Sequence, residues 1–324
     1  MSYGIRIHQF GGPEVLKWEE FEVGDPGPGQ VKVKHSAAGV NFVDTMQRRG
    51  LVHPLAFPLV LGRGGAGVVV AIGAGVRDIK IGDRVAYAPY TGSYCEERLI
   101  EAAKLVPVPE GLDDQIVGAT ILQGLTVQFL VRQVHRVASG DTIFVHAAAG
   151  GVGLILCQWA AHLGARVVGA VSSREKAELA RQHGCEDVVV YSDTDFVSQG
   201  VAFNGGNRFD VVYDSVGQDT FLRSLDLLRP AGLIVSFGLA SGEVPSVDLG
   251  VLRAKGGLAV STGGLLGFTE GRGRLREMAA EWFGVLGSGT LKIEVNQRYP
   301  LREAARAHRD LESRRTTGST VLVV

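Results

Sequence analysis

The sequence predicts an α/β fold in two parts, a β-rich domain interrupted by a doubly wound, parallel six-stranded sheet, and three observations carry that prediction. From Gly140 onward, six short and almost unbroken apolar runs (TIFVHAA, RVVGAV, DVVVY, DVVYDSV, GLIVSFG and LAVST) are each separated by enough chain for a helix. Strands buried on both faces read this way, and their alternation with helices specifies a parallel sheet with right-handed crossovers. Before that, residues 1 to about 122 carry brief β-branched runs such as QVKVKHSA (Gln30 to Ala37) and GVVVAI (Gly67 to Ile72), divided by Gly, Pro and Asp as in hairpins. From about Gly287 the chain returns to that character with KIEVNQRYPL, a helix-like REAARAHRDLESRR and a closing strand STVLVV. A closing strand needs a partner, so the last stretch is expected to complete the first domain's sheet. The expected boundaries are 1–122 with 287–324 for the β-rich domain and 123–286 for the inserted one.

At 324 residues the chain exceeds what one core usually holds. Apolar residues at 45% and charged residues at 21% describe a folded, soluble protein, and a formal charge of -1 without like-charge blocks makes nucleic acid an unexpected partner. Cys95, Cys157 and Cys185 are too few and too scattered for a disulfide framework or a CxxC metal site, which suits a reducing cytoplasm. The opening MSYGIRIHQFGGPEV lacks a basic stretch followed by an apolar run, and no later run reaches the ~18 apolar residues of a membrane span. NFVDTMQRRG (Asn41 to Gly50) reads as a loop entering one or two helical turns, with Asp44 a helix-start residue.

Between the run TIFVHAA and the helix-like GLILCQWAAHLG lies Ala147-Ala148-Ala149-Gly150-Gly151-Val152-Gly153, an A-x-x-G-x-x-G form of the dinucleotide fingerprint. Small residues there let a pyrophosphate touch the backbone, and the helix N-terminus adds free N–H groups and a positive dipole end. The motif counts because it follows a buried strand and opens a helix within a Rossmann-type unit. Tight strand-to-helix packing is the alternative use of the same glycines. His146, just before the loop, reads as a packed strand-end histidine.

In an NAD site an acidic residue about 20 positions past the glycines bonds the ribose hydroxyls. Here strand RVVGAV ends at Val171 and is followed by Ser172-Ser173-Arg174-Glu175-Lys176, so hydroxyls and two cations stand where a 2′-phosphate would sit. The reading is therefore NADPH. Ser172-x-x-Glu175 fits a capping box, which would turn the Glu175 charge away from the ribose.

Together with AAAGGVG, SSREK and the closing LESRRTTG, the segments GGPEVL, GVNFVDTMQRRG, IGDRVAYA, GLTVQFLV, VVYDSVG and GLIVSFG occur in an order that makes the whole chain similar to the zinc-free (zeta-crystallin-like) NADPH:quinone oxidoreductases of the medium-chain dehydrogenase/reductase superfamily. The resemblance implies a GroES-like domain with the Rossmann domain inserted, NADPH in the cleft between them, and a homodimer. It implies that Asn41, Phe42, Val43, Asp44, Thr126 and Leu130 line the nicotinamide end. Gly151, Val152, Lys176, Tyr191, Val216, Gly238, Leu239, Ala240, Ser241, Gly263, Gly264, Leu265 and Arg314 would match further cofactor contacts, with Lys176, Tyr191 and Arg314 around the 2′-phosphate. The family often has tyrosine where Met46 stands, an aromatic at Val52 and glutamate at Gly64, so this substrate pocket is expected to be poorer in polar and aromatic groups. STGGLL from Ser261 replaces a more usual proline-bearing turn.

Zinc-dependent relatives need a cysteine near Asn41, a GHE-type segment and a four-cysteine lobe; here the first two places read GVNFVD and LGRGGAG, and the lobe is missing. No metal is expected. Alcohol oxidation needs stabilisation of a developing alkoxide, whereas a quinone or conjugated enone accepts hydride readily and is protonated by water, which leaves orientation as the protein's main task. Asn41 either bonds an acceptor oxygen or caps its own loop. The leading expectation is metal-free, NADPH-dependent reduction of quinones by hydride or electron transfer. An enone or alkenal double-bond reductase is the alternative enzyme, and an NADPH-binding structural or RNA-associated protein the alternative from another class.

Overall fold

The β-branched runs at the start become β1 (Ser2–Ile7), β2 (Lys17–Phe21), β3 (Gln30–Val40), β4 (Leu59–Val60), β5 (Gly65–Ile72), β6 (Arg84–Tyr87), β7 (Glu97–Glu101) and β8 (Val106–Pro107), with α1 (Phe42–Arg48) after β3. The computed structural model describes residues 1–52 and 56–324. β1, β2 and β4 make a small antiparallel sheet. β3 is the long spine of a larger one, pairing antiparallel with both β5 and β7. α2 (Asp114–Phe129) follows and runs on into a π-helical turn at Leu130–Val134.

The six expected strands are all present: β9 (Thr142–His146), β10 (Arg166–Val171), β11 (Asp187–Val190), β12 (Phe209–Asp214), β13 (Leu228–Ser236) and β14 (Ala259–Thr262); β14 departs from the expected burial, because it is the sheet edge and Ala259, Val260 and Thr262 are exposed. Between them lie α3 (Gly151–His162), α4 (Arg174–Gln182), α5 (Phe196–Phe203), α6 (Phe221–Ser224) and α7 (Leu249–Ala254), with α8 (Leu265–Phe268) after β14. They pair only in parallel, in the order β11-β10-β9-β12-β13-β14, the doubly wound Rossmann arrangement whose direction of winding reverses between β9 and β12. Phe144, Val168, Val189, Phe209, Val212, Phe221 and Ile234 interlock in the core of this part.

The chain ends with α9 (Arg272–Gly287), β15 (Val295–Pro300), α10 (Ala304–Glu312) and β16 (Ser319–Val323). β16 pairs antiparallel with β3, Val321 opposite Gly39, so the closing strand does complete the first sheet. By contacts the chain divides into a first unit of Met1–Leu125, Phe268–Gly289 and Ile293–Val324, and a second of Thr126–Gly267 with Thr290–Lys292. The division at Leu125 falls inside α2, so no linker composition marks it in the sequence. It also moves α9, which the expected boundary of 286 put in the inserted domain, to the first unit. The physical reason is packing: Leu275, Met278, Ala279, Trp282 and Phe283 form the buried stripe of α9 at helical spacing, and Trp282 lies against Gly124.

A Cβ at Gly124 would come within 2.2 Å of the Trp282 indole. Gly124→Ala is therefore expected to lower the unfolding free energy by about 1–3 kcal/mol, the usual cost of overpacking. Urea denaturation checks it, and an unchanged midpoint would contradict the packing described.

Candidate functional site

In the second unit, every residue that the sequence points to follows the C-terminal end of a parallel strand or lies on the helix that enters the unit. After β9 comes the glycine loop. Ala147 there has φ 50, a left-handed conformation that costs a residue with a Cβ about 1–2 kcal/mol. Such strain gathers at functional sites. Gly153 packs so close that a Cβ would sit 2.3 Å from the Ala147 carbonyl oxygen, so this last glycine serves strand-to-helix packing. Gly150 would meet the same oxygen at 3.2 Å, a tight contact rather than a prohibitive one. Gly150 is also the N-cap of α3 and offers no side-chain cap, which leaves the first-turn N–H groups, those of Gly151, Val152 and Gly153, without one.

After β10 comes the cationic segment, and here one expectation is corrected. The N-cap of α4 is Ser173, not Ser172: its Oγ accepts from Lys176 N–H at 3.3 Å, so the third helical position is Lys176 and Glu175 closes no capping box. A hydrogen bond from the Ser173 side chain instead holds the exposed Glu175 carboxyl below its usual range. Arg174 donates through Nε to Asp193 at 3.1 Å in an exposed pair. Tyr191 follows β11, and its backbone N–H bonds Val171 O at 3.0 Å, beside the start of the 172–176 segment.

The loops after β12 and β13 are stitched together. Buried Asp214 accepts from the N–H groups of Val216 and Gly217 and from the Thr220 hydroxyl. Ser241 N–H bonds Val216 O at 2.8 Å, Ala240 N–H bonds Ser215 O, and a Cβ at Gly238 would collide with Ser215. Val216 and the stretch from Gly238 through Leu239 and Ala240 to Ser241 thus form one surface. Gly263 and Gly264 follow β14, and Leu265 is buried at the start of α8. Thr126 is half-buried on α2, while Leu130 is fully buried with its carbonyl accepting from Tyr213 at 3.3 Å.

In the first unit, α1 turns Phe42, Val43 and Met46 to its half-buried side and Asp44, Thr45, Gln47 and Arg48 inward. Val52 is half-buried after it. Asn41 and Asp44 form a capping box, in which Asp44 Oδ2 accepts Asn41 N–H at 2.8 Å. Asn41 Oδ1 also faces Gln123 Nε2 at 3.4 Å, and Gln123 in turn accepts from Ser319 Oγ at 2.7 Å. Asn41 Nδ2 is buried with no partner. The loop-capping alternative is thus met by the oxygen, and the nitrogen is left without a partner. An orphan donor of this kind costs about 1–3 kcal/mol until it is met.

Behind Asp44 runs a buried polar chain. Arg48 grips both Glu312 oxygens and donates to His308 Nδ1 at 3.1 Å. His308 is then left to donate through Nε2 to Tyr94, which donates to Asp44 Oδ2. Burial and the Arg48 charge push His308 down to about 3, and burial lifts Asp44 to about 7. The Gly64 position packs on Ile121 and Leu122 of α2, so the glutamate usual in the family would need room made for it. Arg314, in the αL position just past α10 with φ 59, occupies a conformation that ordinarily favours glycine. Among the described residues no three His, Cys, Asp or Glu side chains gather as a metal-binding group.

The geometry matches known proteins over the full chain. Residues 27–139 match the alcohol dehydrogenase GroES-like domain and residues 151–281 the zinc-binding dehydrogenase domain. The quinone oxidoreductase of Pseudomonas aeruginosa is 47% identical over 324 residues, with 100% of both chains covered. The 2-haloacrylate reductase of a Burkholderia species is 44% identical over 98% of this chain and 97% of its own. The crystal structure of Escherichia coli quinone oxidoreductase complexed with NADPH superposes with a TM-score of 0.97 at 43% identity, covering 99% of this chain and 100% of that one. The fold and its strand-end site define a medium-chain dehydrogenase/reductase, a GroES-like domain carrying a Rossmann domain. Within that superfamily the chain belongs to the quinone oxidoreductase family.

The sequence reading missed the Gln123–Ser319 support of Asn41, which joins three distant segments, and the polar contacts of His146. Asp44 yields a test. Its proton is retained in the folded state to about pH 7, while the ordinary value of 3.8 governs the unfolded chain. A raised folded pKa contributes stability that is full below about pH 4 and is lost as pH climbs through 7. Asp44→Asn does not titrate, so its stability relative to the native chain is expected to rise by about 1–3 kcal/mol between pH 5 and pH 8. Urea unfolding at both pH values checks this, and a constant difference would refute the buried-carboxyl assignment.

Proposed function

We propose that the protein is an NADPH-dependent, zinc-independent reductase of quinones. The observation that carries this reading is the convergence of the second unit's candidate residues on the C-terminal ends of its parallel strands, where open α/β sheets bind ligands. The strained Ala147, the α3 N-terminus without a side-chain cap, and the hydroxyls and cations of 172–176 fit a pyrophosphate and a 2′-phosphate respectively. The structural relative bound to NADPH supports the same cofactor. NADPH, when bound, would supply the hydride or electrons. The chain's own residues then hold the nucleotide by backbone N–H groups and Lys176, and Asn41 Nδ2 offers a hydrogen bond to the oxygen of the acceptor. Phe42, Val43 and Met46 supply apolar contact, and Thr126, Leu130, Val216, Gly238, Leu239, Ala240, Ser241, Gly263, Gly264, Leu265 and Arg314 are taken as further cofactor contacts on the strength of the family resemblance.

The acceptor is tested by steady-state rates with simple quinones and short enones side by side. The quinone reading expects the higher kcat/KM for quinones; a ten-fold preference for enones would transfer the assignment to double-bond reduction, the reading that the 2-haloacrylate reductase relative favours. Binding of NADPH with no turnover of any acceptor would support the non-enzymatic reading.

For the cofactor, Lys176→Ala is expected to raise the NADPH Kd about ten-fold, the worth of one charge-assisted hydrogen bond, and to leave NADH within two-fold. Titrations by cofactor fluorescence measure both, and equal losses would remove Lys176 from the phosphate.

The reading includes a homodimer and a cytoplasmic setting. Three buried free thiols accord with the latter, and among the described residues no helix is long and apolar enough to cross a membrane. For the former, β14 is an edge strand, and exposed Leu249, Val251, Val260 and Leu266 lie on and around it. An edge of this kind invites pairing with a second copy. Val260→Lys is expected to shift the native mass measured by light scattering from dimer to monomer; a native chain that is already monomeric would overturn the dimer.

A further inference from the structure

His146 ends β9 immediately before the glycine loop and is 1% exposed. Its Nδ1 lies 2.6 Å from the Tyr191 hydroxyl and its Nε2 2.8 Å from Ser224 Oγ. The His146 and Tyr191 rings are stacked, 6° from parallel with centroids 5.9 Å apart, and Phe196 stands edge-on to both. An aliphatic or phenyl side chain would suit so buried a strand, as Phe144 does two residues earlier on the same face. A polar ring here is retained at the cost of desolvation, and its two bonds indicate what it does.

The direction of those bonds follows from Ser224. Its Oγ is 2.8 Å from the Thr220 carbonyl oxygen, a separation that two oxygens hold only with a hydrogen between them, so Ser224 donates to Thr220. Toward His146 the same oxygen accepts, which puts the ring hydrogen on Nε2 and leaves Nδ1 as the acceptor. The Tyr191 hydroxyl must then donate to Nδ1. Burial brings His146 down to about 4 against the opposing pull of Asp214, so the ring stays neutral near pH 7 and the pattern does not reverse.

The single hydroxyl proton of Tyr191 is thereby committed inward. Toward a nucleotide its oxygen acts as an acceptor, able to take a hydrogen bond from an ammonium but unable to give one to a phosphate dianion. We propose that His146 is a positioning residue of the nucleotide site. It fixes Tyr191 as an acceptor beside the segment that carries Lys176, so that the 2′-phosphate is met by a lysine ammonium oriented by Tyr191 rather than by Tyr191 itself. This rests on the NADPH reading above. It revises the part expected of Tyr191, from a group on the phosphate to one that aims the cation.

Two measurements test it. Nitrogen-15 NMR of the intact native chain reads the His146 tautomer: an unprotonated Nδ1 and a protonated Nε2 are expected, and the reverse would overturn the proposal whatever any variant does. Binding is then compared for Tyr191→Phe, Ser224→Ala and the double variant. Each single change is expected to raise the NADPH Kd about three- to ten-fold, the worth of one hydrogen bond, with NADH within two-fold. Because Ser224 acts only through His146 and Tyr191, the double variant is expected to be no weaker than the weaker single one. Multiplicative losses, or equal losses for NADH, would overturn the role. A native chain that binds NADPH and NADH equally would overturn the cofactor reading and this role with it, whereas NADPH preference with multiplicative losses overturns the role alone.

Discussion

In β9 the side chains of Ile143, Phe144 and Val145 are all sealed from solvent, and the neighbouring strands are filled in the same way by Val167, Val168, Val211 and Val212. A parallel sheet covered on both faces leaves chemistry only at its ends. All six strands of the second unit point their C-terminal ends the same way, so the loops at 147–153, 172–176, 191, 216, 238–241 and 263–265 necessarily come to one edge. The rest of the site depends on that constraint. The fingerprint loop and the cationic segment are brought side by side because β9, central and at the reversal of strand order, has β10 as its immediate neighbour.

The first unit solves a different problem, that of holding a short helix and one amide in place. α1 has only seven residues, too few to be stable by its own propensity. A chain from half-buried Glu312 through the buried Arg48, His308 and Tyr94 to Asp44 fixes its start instead. That arrangement loads several costs onto a few residues: a carboxyl held near neutrality, an imidazole held neutral, and an orphan amide on Asn41. Groups left unsatisfied beside a rigid element are what a site prepared for a polar ligand requires.

Much of this was legible in the sequence. The apolar runs give strands because a doubly buried strand has little freedom of composition, although the last of them, β14, lies at an exposed edge, and the closing STVLVV pairs with β3 because an unpaired strand of that character would be a liability. The glycine loop was legible because its geometry demands small residues. The domain boundaries were less so. The chain passes between units inside α2 without a Pro- or Gly-rich break, and α9 belongs with the first unit through a Trp282–Gly124 contact across more than 150 positions. The cap of α4 was misplaced by one residue because Ser172 and Ser173 are equally good caps in sequence, and only the backbone decides between them. Gln123, Ser319 and Ser224 carry no local signal at all, since a hydrogen bond between distant segments leaves no period or motif. His146 was visible and was taken as packing, which is correct and incomplete.

The central claim is that the strand-end site selects its nucleotide by the 2′-phosphate. Titration calorimetry of the native chain with NADPH and with NADH, at low and at high salt, tests it most directly. The account predicts NADPH tighter by at least about ten-fold, with the gap narrowing as salt screens the phosphate. Equal affinities for the two nucleotides at both salt concentrations would contradict it.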